Sequence, residues 1–310
     1  MTETHKRAKE HNRPVVFDMT SNQCVWAKAG VIKPVMCINA FDCISCPLDK
    51  KIQKDLAEGK MKDAQGRPTV SWQHPEHWLK LSPNQRKCRH MLTGRVAYKT
   101  CARGYDCATC PYDQMIEEDS LVHPATEPRV DLAGGFRLPH DYYFHRGHTW
   151  ARVEYGGRVR IGLDDFALKL VGRVDEFKLP RLGSRIKQSE ADTEIRRETH
   201  YAPGLSPVDG TVVATNPKVL ERGETANSAP YSEGWLMVVQ PGNLKGNLRN
   251  LLFDDEGTSW MEEESGRLSA MVAEETGYPL ASTGGEVVAD IYGAVPELGW
   301  ERLINEFLKI

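Results

Sequence analysis

The chain of 310 residues has no cysteine after residue 110, no long apolar run and no concentrated stripe of basic residues. Crossing a bilayer as a helix takes about 20 consecutive, mostly apolar residues, so no membrane span is expected. Residues 1–13 are charged and polar and lack the apolar segment of a secretory signal. A cytoplasmic location is therefore expected. Basic and aromatic residues are not interleaved along any stretch, which argues against a nucleic-acid partner. There is no nucleophile–base pair, no phosphate loop and no paired carboxylate frame, and Gly284-Gly285 alone does not make one. The expectation is a protein that is not an enzyme.

Net charge is −3, unevenly spread. Residues 1–125 carry 19 Lys/Arg against 14 Asp/Glu, whereas residues 126–310 carry 21 against 29. The acidity lies beyond Leu252. Such asymmetry suits a charged partner, although a solvated surface explains it as simply.

All eight cysteines fall into two sets of four: Cys24, Cys37, Cys43, Cys46 and Cys88, Cys101, Cys107, Cys110. Both follow C-x12-C-x5-C-x2-C, offset by 64 residues. Gly30 and Gly94, Asp42 and Asp106, Pro47 and Pro111, Asp49 and Asp113, and Ile52 and Ile116 share that register, with Phe41 matched by Tyr105. This is an internal duplication. In a reducing compartment such clustered thiols act as metal ligands or redox groups rather than disulfides. Four thiolates suit one tetrahedral zinc or one iron–sulfur cluster, and the spacing leaves that choice open. Short helices are expected over 49–56 and 113–119. Each module is expected to be stapled by its metal, because neither has the apolar residues for an independent core. His74, His77 and His90 lie nearby, but each cysteine set is already complete. Residues 61–83 read as an irregular connection.

Prolines 124 and 128 mark a boundary. Beyond it, 150–155 and 158–162 alternate around Gly156-Gly157, as in a hairpin. Residues 164–170 read as a helical turn or two. Further strand signals at 174–179, 210–214 and 235–239 point to a small β sandwich or barrel.

Here the sequence resembles a known family. His148-Thr-Trp150, Ile161-Gly-Leu-Asp-Asp-Phe-Ala-Leu168, Leu170-Val-Gly172, Leu179-Pro-Arg-Leu-Gly183, Ser206-Pro-Val-Asp-Gly210, Val213, Asn216-Pro217 and Gly234-Trp235-Leu236 follow the order and spacing of the glycine cleavage H protein. The resemblance implies a flattened β barrel-sandwich hybrid of the lipoyl type. It also implies a hairpin lysine carrying lipoate, between the Leu-Pro-x-x-Gly and Ser-Pro-x-x-Gly segments. Counting from either segment reaches Thr199, within Arg196-Arg-Glu-Thr-His200. A threonine has no amine, so Thr199 is expected to be unmodified and lipoate is not expected. Lys187 lies twelve residues too early to replace it. Arg196, Arg197 and His200 suit either an anion or partner site or, more simply, a solvated turn. His140, His145 and His148 are read as strand and loop residues rather than ligands.

The tail is acidic. Ser259-Trp-Met-Glu262 reads as a helix-starting capping box with Gly277 as the stop. Pro296 then suits a first helical turn. Trp300, Leu303, Ile304, Phe307 and Leu308 form a helical stripe that packs on its own domain or on another subunit.

The expected division is 1–60 and 61–122 for the cysteine modules, 134–252 for the H-protein-like domain and 253–310 for a helical extension. The fold class is mainly β with added helices. The expected function is a non-catalytic adaptor or accessory subunit with two metal centres, docking on a partner enzyme complex. The alternatives are an iron–sulfur electron-transfer subunit, or a lipoyl carrier with an unusual attachment.

Overall fold

A computed structural model describes residues 16, 21–62, 66, 75–122, 128–280, 282–283 and 285–309. Residues 1–13, His74, Pro124, Gly284 and much of the 61–83 connection lie outside the described residues. Two compact units emerge. One, the cysteine unit, comprises the described residues up to 122 together with turn residues 154–157. The other, the β unit, comprises residues 128–153 and 158–309.

In the cysteine unit the duplication is visible as geometry. Helix α1 (Val25–Lys28) and α2 (Pro47–Ala57) belong to the first repeat. After α3 (Pro75–Lys80), α4 (Arg89–Leu92) and α5 (Pro111–Val122) repeat them. Pro47 and Pro111 open their helices at a position where a missing N–H costs nothing. Gly30 and Gly94, at φ 77° and 83°, end the short helices in a conformation that disfavours a side chain. Among the described residues, the two repeats share a core cluster. Trp26, Val31, Ile52, Leu56, Trp78 and Tyr105 form one cluster, drawn from both. Pooling apolar surface in this way is what two repeats this small require.

Trp78 corrects one expectation. It falls in the stretch read as an irregular connection, yet it sits on α3 and is 1% exposed. Its indole N–H donates to the Cys101 carbonyl at 2.7 Å, and its ring meets Tyr105 edge-on at 5.2 Å.

The β unit is built from antiparallel sheets. Strands β1 (Val130–Ala133) and β2 (Phe136–Pro139) form a hairpin. The main sheet uses β3 (Tyr143–His145), β4 (Thr149–Val153), β5 (Val159–Leu163), β7 (Arg185–Ile186), β10 (Gly210–Thr215), β11 (Met237–Gln240) and β12 (Leu252–Phe253). Their order is β12-β3-β4-β5-β11-β10-β7. A three-stranded sheet, β6-β8-β9, joins β6 (Glu176–Lys178), β8 (Ala191–Arg197) and β9 (His200–Leu205). Among the described residues no sheet closes on itself, so the unit is a sheet-rich sandwich rather than a closed barrel. Among the described residues, no helix is long and apolar enough to cross a membrane.

Packing explains two of the motifs. Trp150 on β4 pairs with Gly162 on β5, and a Cβ at Gly162 would lie 2.5 Å from the indole ring. Asp164 caps helix α6 (Asp165–Val171) by accepting the Ala167 N–H at 2.8 Å, while its other oxygen binds His148 Nδ1 at 2.8 Å. His148 is fully buried and stacks on Phe166 at 4.1 Å.

The C-terminal extension packs on this same unit. Helix α7 (Asp255–Thr276) buries Trp260, Met261, Leu268 and Val272, and Gly277 ends it at φ 76°. It starts earlier than the capping-box reading placed it: Ser259 lies inside the helix, and Asp254 takes the cap position. A short helix, α8 (Ile291–Ala294), follows. Pro296 opens a single tight turn, and the next helix, α9, begins only at Trp300 (Trp300–Phe307). Its Trp300, Leu303, Ile304 and Phe307 are buried, with Phe307 against Phe166 at 5.2 Å.

Candidate metal centres and the hairpin turn

The backbone gathers each cysteine quartet by the same bonds. Gln23 bridges Met36 and Lys87 bridges Thr100. Cys24 N–H donates to Val35 O and Cys88 N–H to Lys99 O, both at 2.8 Å. Cys37 N–H donates to Asn22 O at 2.5 Å and Cys101 N–H to Arg86 O at 2.6 Å. The knuckles close through Cys46 N–H to Cys43 O at 3.2 Å and Cys110 N–H to Cys107 O at 3.1 Å. Cys24, Cys37, Cys43 and Cys46 line one small cavity. All eight thiols are free.

Local strain is duplicated too. Ala40 and Phe41 in one repeat, Gly104 and Tyr105 in the other, have φ between 48° and 64°. Non-glycine residues avoid that region unless the surroundings impose it. The effect is to aim Phe41 N–H at Cys37 Sγ (3.3 Å) and Tyr105 N–H at Cys101 Sγ (3.4 Å). Such donors stabilise thiolates and tune a bound centre.

Burial pushes the Cys24, Cys43, Cys88 and Cys107 thiols up, so a metal entering must displace protons. The Arg89 guanidinium opposes the rise at both Cys43 and Cys107. Around one tetrahedral zinc, sulfurs at about 2.3 Å from the ion sit about 3.8 Å apart. Among the described residues, His90, Asp113 and Glu117 are a trio whose donor atoms all lie within 4.8 Å of one another.

That trio is an ion-pair knot. Asp113 accepts from Arg89 Nη2 and pairs with His90 Nε2, both at 2.7 Å, while Glu117 accepts from Arg95 at 2.7 Å. His90 Nδ1 faces Arg95 at 3.2 Å, so both ring nitrogens are engaged. Burial holds the His90 pKa down. Burial pulls Asp113 upward, but the His90 hydrogen bond and Arg89 charge outweigh it and leave its carboxyl below the usual range.

His90 is the 64-residue counterpart of Trp26, and Asp113 of Asp49. Trp26 Nε1 donates to Asp49 at 2.6 Å, where His90 meets Asp113 at 2.7 Å. Phe41 and His90 both contact Tyr155, at 5.7 and 5.6 Å. Matching by residue type missed these pairs because tryptophan and histidine look unrelated. Position in the register, with the acid 23 residues on, was the usable signal.

In the β unit, Thr199 lies exposed in the turn between β8 and β9, next to Glu198 at φ 53°. The turn is not simply solvated, which corrects the plainer reading. Arg197 Nη1 and Nη2 donate to Asp290 at 2.6 and 2.9 Å, and Nη1 also reaches Val171 O at 2.7 Å. His200 packs against Tyr292 and Trp300 at 5.4 and 5.1 Å. Trp300 Nε1 donates to Tyr201 O at 2.9 Å. Arg196 alone stays exposed, facing Glu176 at 3.2 Å. Lys187 is on the surface, paired with Glu190 at 3.0 Å and remote from the turn in sequence.

Two further histidines of the β unit have partners within it. His140 pairs with Asp131 at 2.7 Å on the surface. His145 accepts Gly147 N–H at Nδ1 (3.0 Å) and faces Ser189 through Nε2 (2.9 Å).

Comparison with known proteins matches residues 142–264 to the glycine cleavage H-protein family. The glycine cleavage system H protein of Stenotrophomonas maltophilia is 35% identical over 127 residues, 41% of this chain and 96% of that protein. That of Xanthomonas campestris is 34% identical over 128 residues, 41% of this chain and 97% of that protein. A solved H protein from Mycobacterium marinum aligns at 26% identity over 34% of this chain and 87% of its own, with a TM-score of 0.32.

Proposed function

We propose, from the premise that this chain belongs to the glycine cleavage H-protein family, that it is a member without carrier function, serving as an accessory subunit that bears two four-cysteine metal centres. Family membership agrees with a non-catalytic role. The observation that carries the loss of carrier function is the hairpin turn. Thr199 offers no amine for an amide-linked cofactor, and the residues on either side of it are engaged by the chain's own C-terminal segment. What the domain retains is a folded surface for a protein partner within an enzyme complex.

The cysteine unit supplies the chemistry in this reading. Cys24, Cys37, Cys43 and Cys46 would hold one centre, and Cys88, Cys101, Cys107 and Cys110 the other. The repeated N–H to sulfur bonds fit thiolate ligands better than buried thiols. A second reading, electron transfer through two iron–sulfur clusters, is supported by the backbone N–H groups aimed at Cys37 and Cys101 Sγ, since such bonds tune a cluster's potential.

Intact-mass measurement of the protein from its native host tests the first claim; a lipoyl increment on any residue defeats it. Metal analysis with an absorption spectrum tests the second. Iron with matching sulfide and visible charge-transfer bands supports electron transfer, and reversible reduction seen by electron paramagnetic resonance establishes it. Zinc in both sites leaves only the accessory role. Metal-free protein from anaerobic preparations removes both.

A further inference from the structure

The duplication creates a second, larger space inside the cysteine unit. A cavity of about 710 Å³ is lined by both members of three register-related pairs: Val25 and Arg89, Cys43 and Cys107, Ile44 and Ala108. It therefore lies where the two repeats face each other. This volume is ordinary for a small-molecule site, and junctions between folded modules are where such sites concentrate.

Two features give the cavity a chemical preference. Its walls include Trp26, Trp78 and Tyr105, whose rings meet edge-on at 5.2 and 5.3 Å. Its polar anchor is Arg89. In the first repeat this position is valine; in the second it is a guanidinium only 5% exposed. Arg89 Nη2 is held by Asp113, which fixes the group, but its Nε–H is buried with no acceptor. A buried donor without a partner is unfavourable, and Arg89 lines the cavity, so a ligand oxygen seated at the guanidinium relieves that cost. The acidic lining groups are already engaged: Asp49 accepts from Trp26, and Asp106 from Thr109 at 2.6 Å.

We propose that this cavity binds a small planar aromatic carboxylate, its ring among Trp26, Trp78 and Tyr105 and its carboxylate on Arg89. The inference goes beyond the accessory role and adjoins it: Cys43 and Cys107, which that reading gives to the two metal centres, line the cavity, so binding is measured on protein of known metal content.

The test uses the full chain as isolated, with 2-naphthoate as probe and 2-naphthylmethanol as its uncharged control, followed by calorimetry and tryptophan fluorescence. The expected result is saturable one-to-one binding of naphthoate, at least about tenfold tighter than the alcohol. Arg89→Lys keeps a charge for Asp113 but removes the Nε–H, and should weaken naphthoate about tenfold or more. Should that variant fold poorly, Gln53→Trp, at a half-buried lining position on α2 seven residues beyond Cys46, is expected to block binding with metal content unchanged. No saturable binding, equal affinity for the alcohol, or unchanged affinity in either folded variant overturns the proposal.

Discussion

Arg197 and Asp290, 93 residues apart, meet through two guanidinium–carboxylate bonds beside the turn that carries Thr199. Gly172 is part of the same contact, because a Cβ there would run into both side chains. The C-terminal segment is thus fastened to the hairpin at a specific point.

Arg197→Ala should therefore loosen the 290–300 segment. Asp290 is partly exposed, so the cost is expected to be about 1–2 kcal/mol rather than the full value of a shielded pair. Faster amide exchange over 290–300 and a lower melting temperature are the expected readouts. Unchanged exchange there would mean the aromatic contacts of Tyr292 and Trp300 suffice.

Thr199→Lys restores an amine at an exposed position of the turn. Incubated with lipoate and a lipoate ligase, the unaltered protein should gain no mass and the variant should gain one lipoyl group. A variant that stays unmodified would show that the surrounding arginines and the fastened tail, not the missing amine alone, prevent carrier chemistry.

On the proposed reading, Cys46→Ser and Cys110→Ser each remove one ligand from one quartet. Each should lower bound metal from two centres to one, and the pair should abolish it. Elemental analysis decides this; a single substitution that strips both centres would mean that one shared site replaces two.

The pH dependence of the β unit follows from His145. Burial, with His148 nearby, lowers its pKa to about 4. Its Nδ1 accepts the Gly147 N–H, so protonation breaks that bond. The unfolded chain takes up a proton near pH 6.5 and the folded one only near 4. Stability from this residue is complete above pH 6.5 and is lost as pH falls through that window, by up to about 3 kcal/mol. His145→Gln should flatten the denaturation profile between pH 6.5 and 4; an unchanged slope would refute the assignment.

Gly162→Ala places a methyl group into the Trp150 ring. Because Trp150 is fully buried and its indole is held by the Leu163 and Pro230 carbonyls, it has little room to retreat. A loss of about 1–3 kcal/mol is expected in chemical denaturation. A neutral result would mean the two strands can slide apart at this pair.

The β unit was largely legible in sequence because its motifs are local. Gly156-Gly157 turns a hairpin, Asp164 caps a helix, and Gly162 answers a tryptophan on the neighbouring strand. The duplication was legible for the same reason: its fixed register returns as matched helices and matched backbone bonds. What escaped was long-range. Trp78 carries no periodic pattern around it, yet it completes a core with residues from both repeats. Arg197 and His200 read as surface residues until Asp290, Tyr292 and Trp300 arrive from the other end of the domain. Arg89 stands where the first repeat has valine, and nothing adjacent announces that it will be buried.

The substitution of His90 for Trp26 and Arg89 for Val25 has a further consequence. Two copies of one scaffold have unlike neighbours: Asp49 meets a neutral indole where Asp113 joins a network of ionised groups, while Arg89 acts on a cysteine of each. On the proposed reading, the two centres are then held on unequal terms. A titration that empties them should proceed in two steps rather than one, and the order of those steps gives the unit a polarity that its repeated sequence conceals.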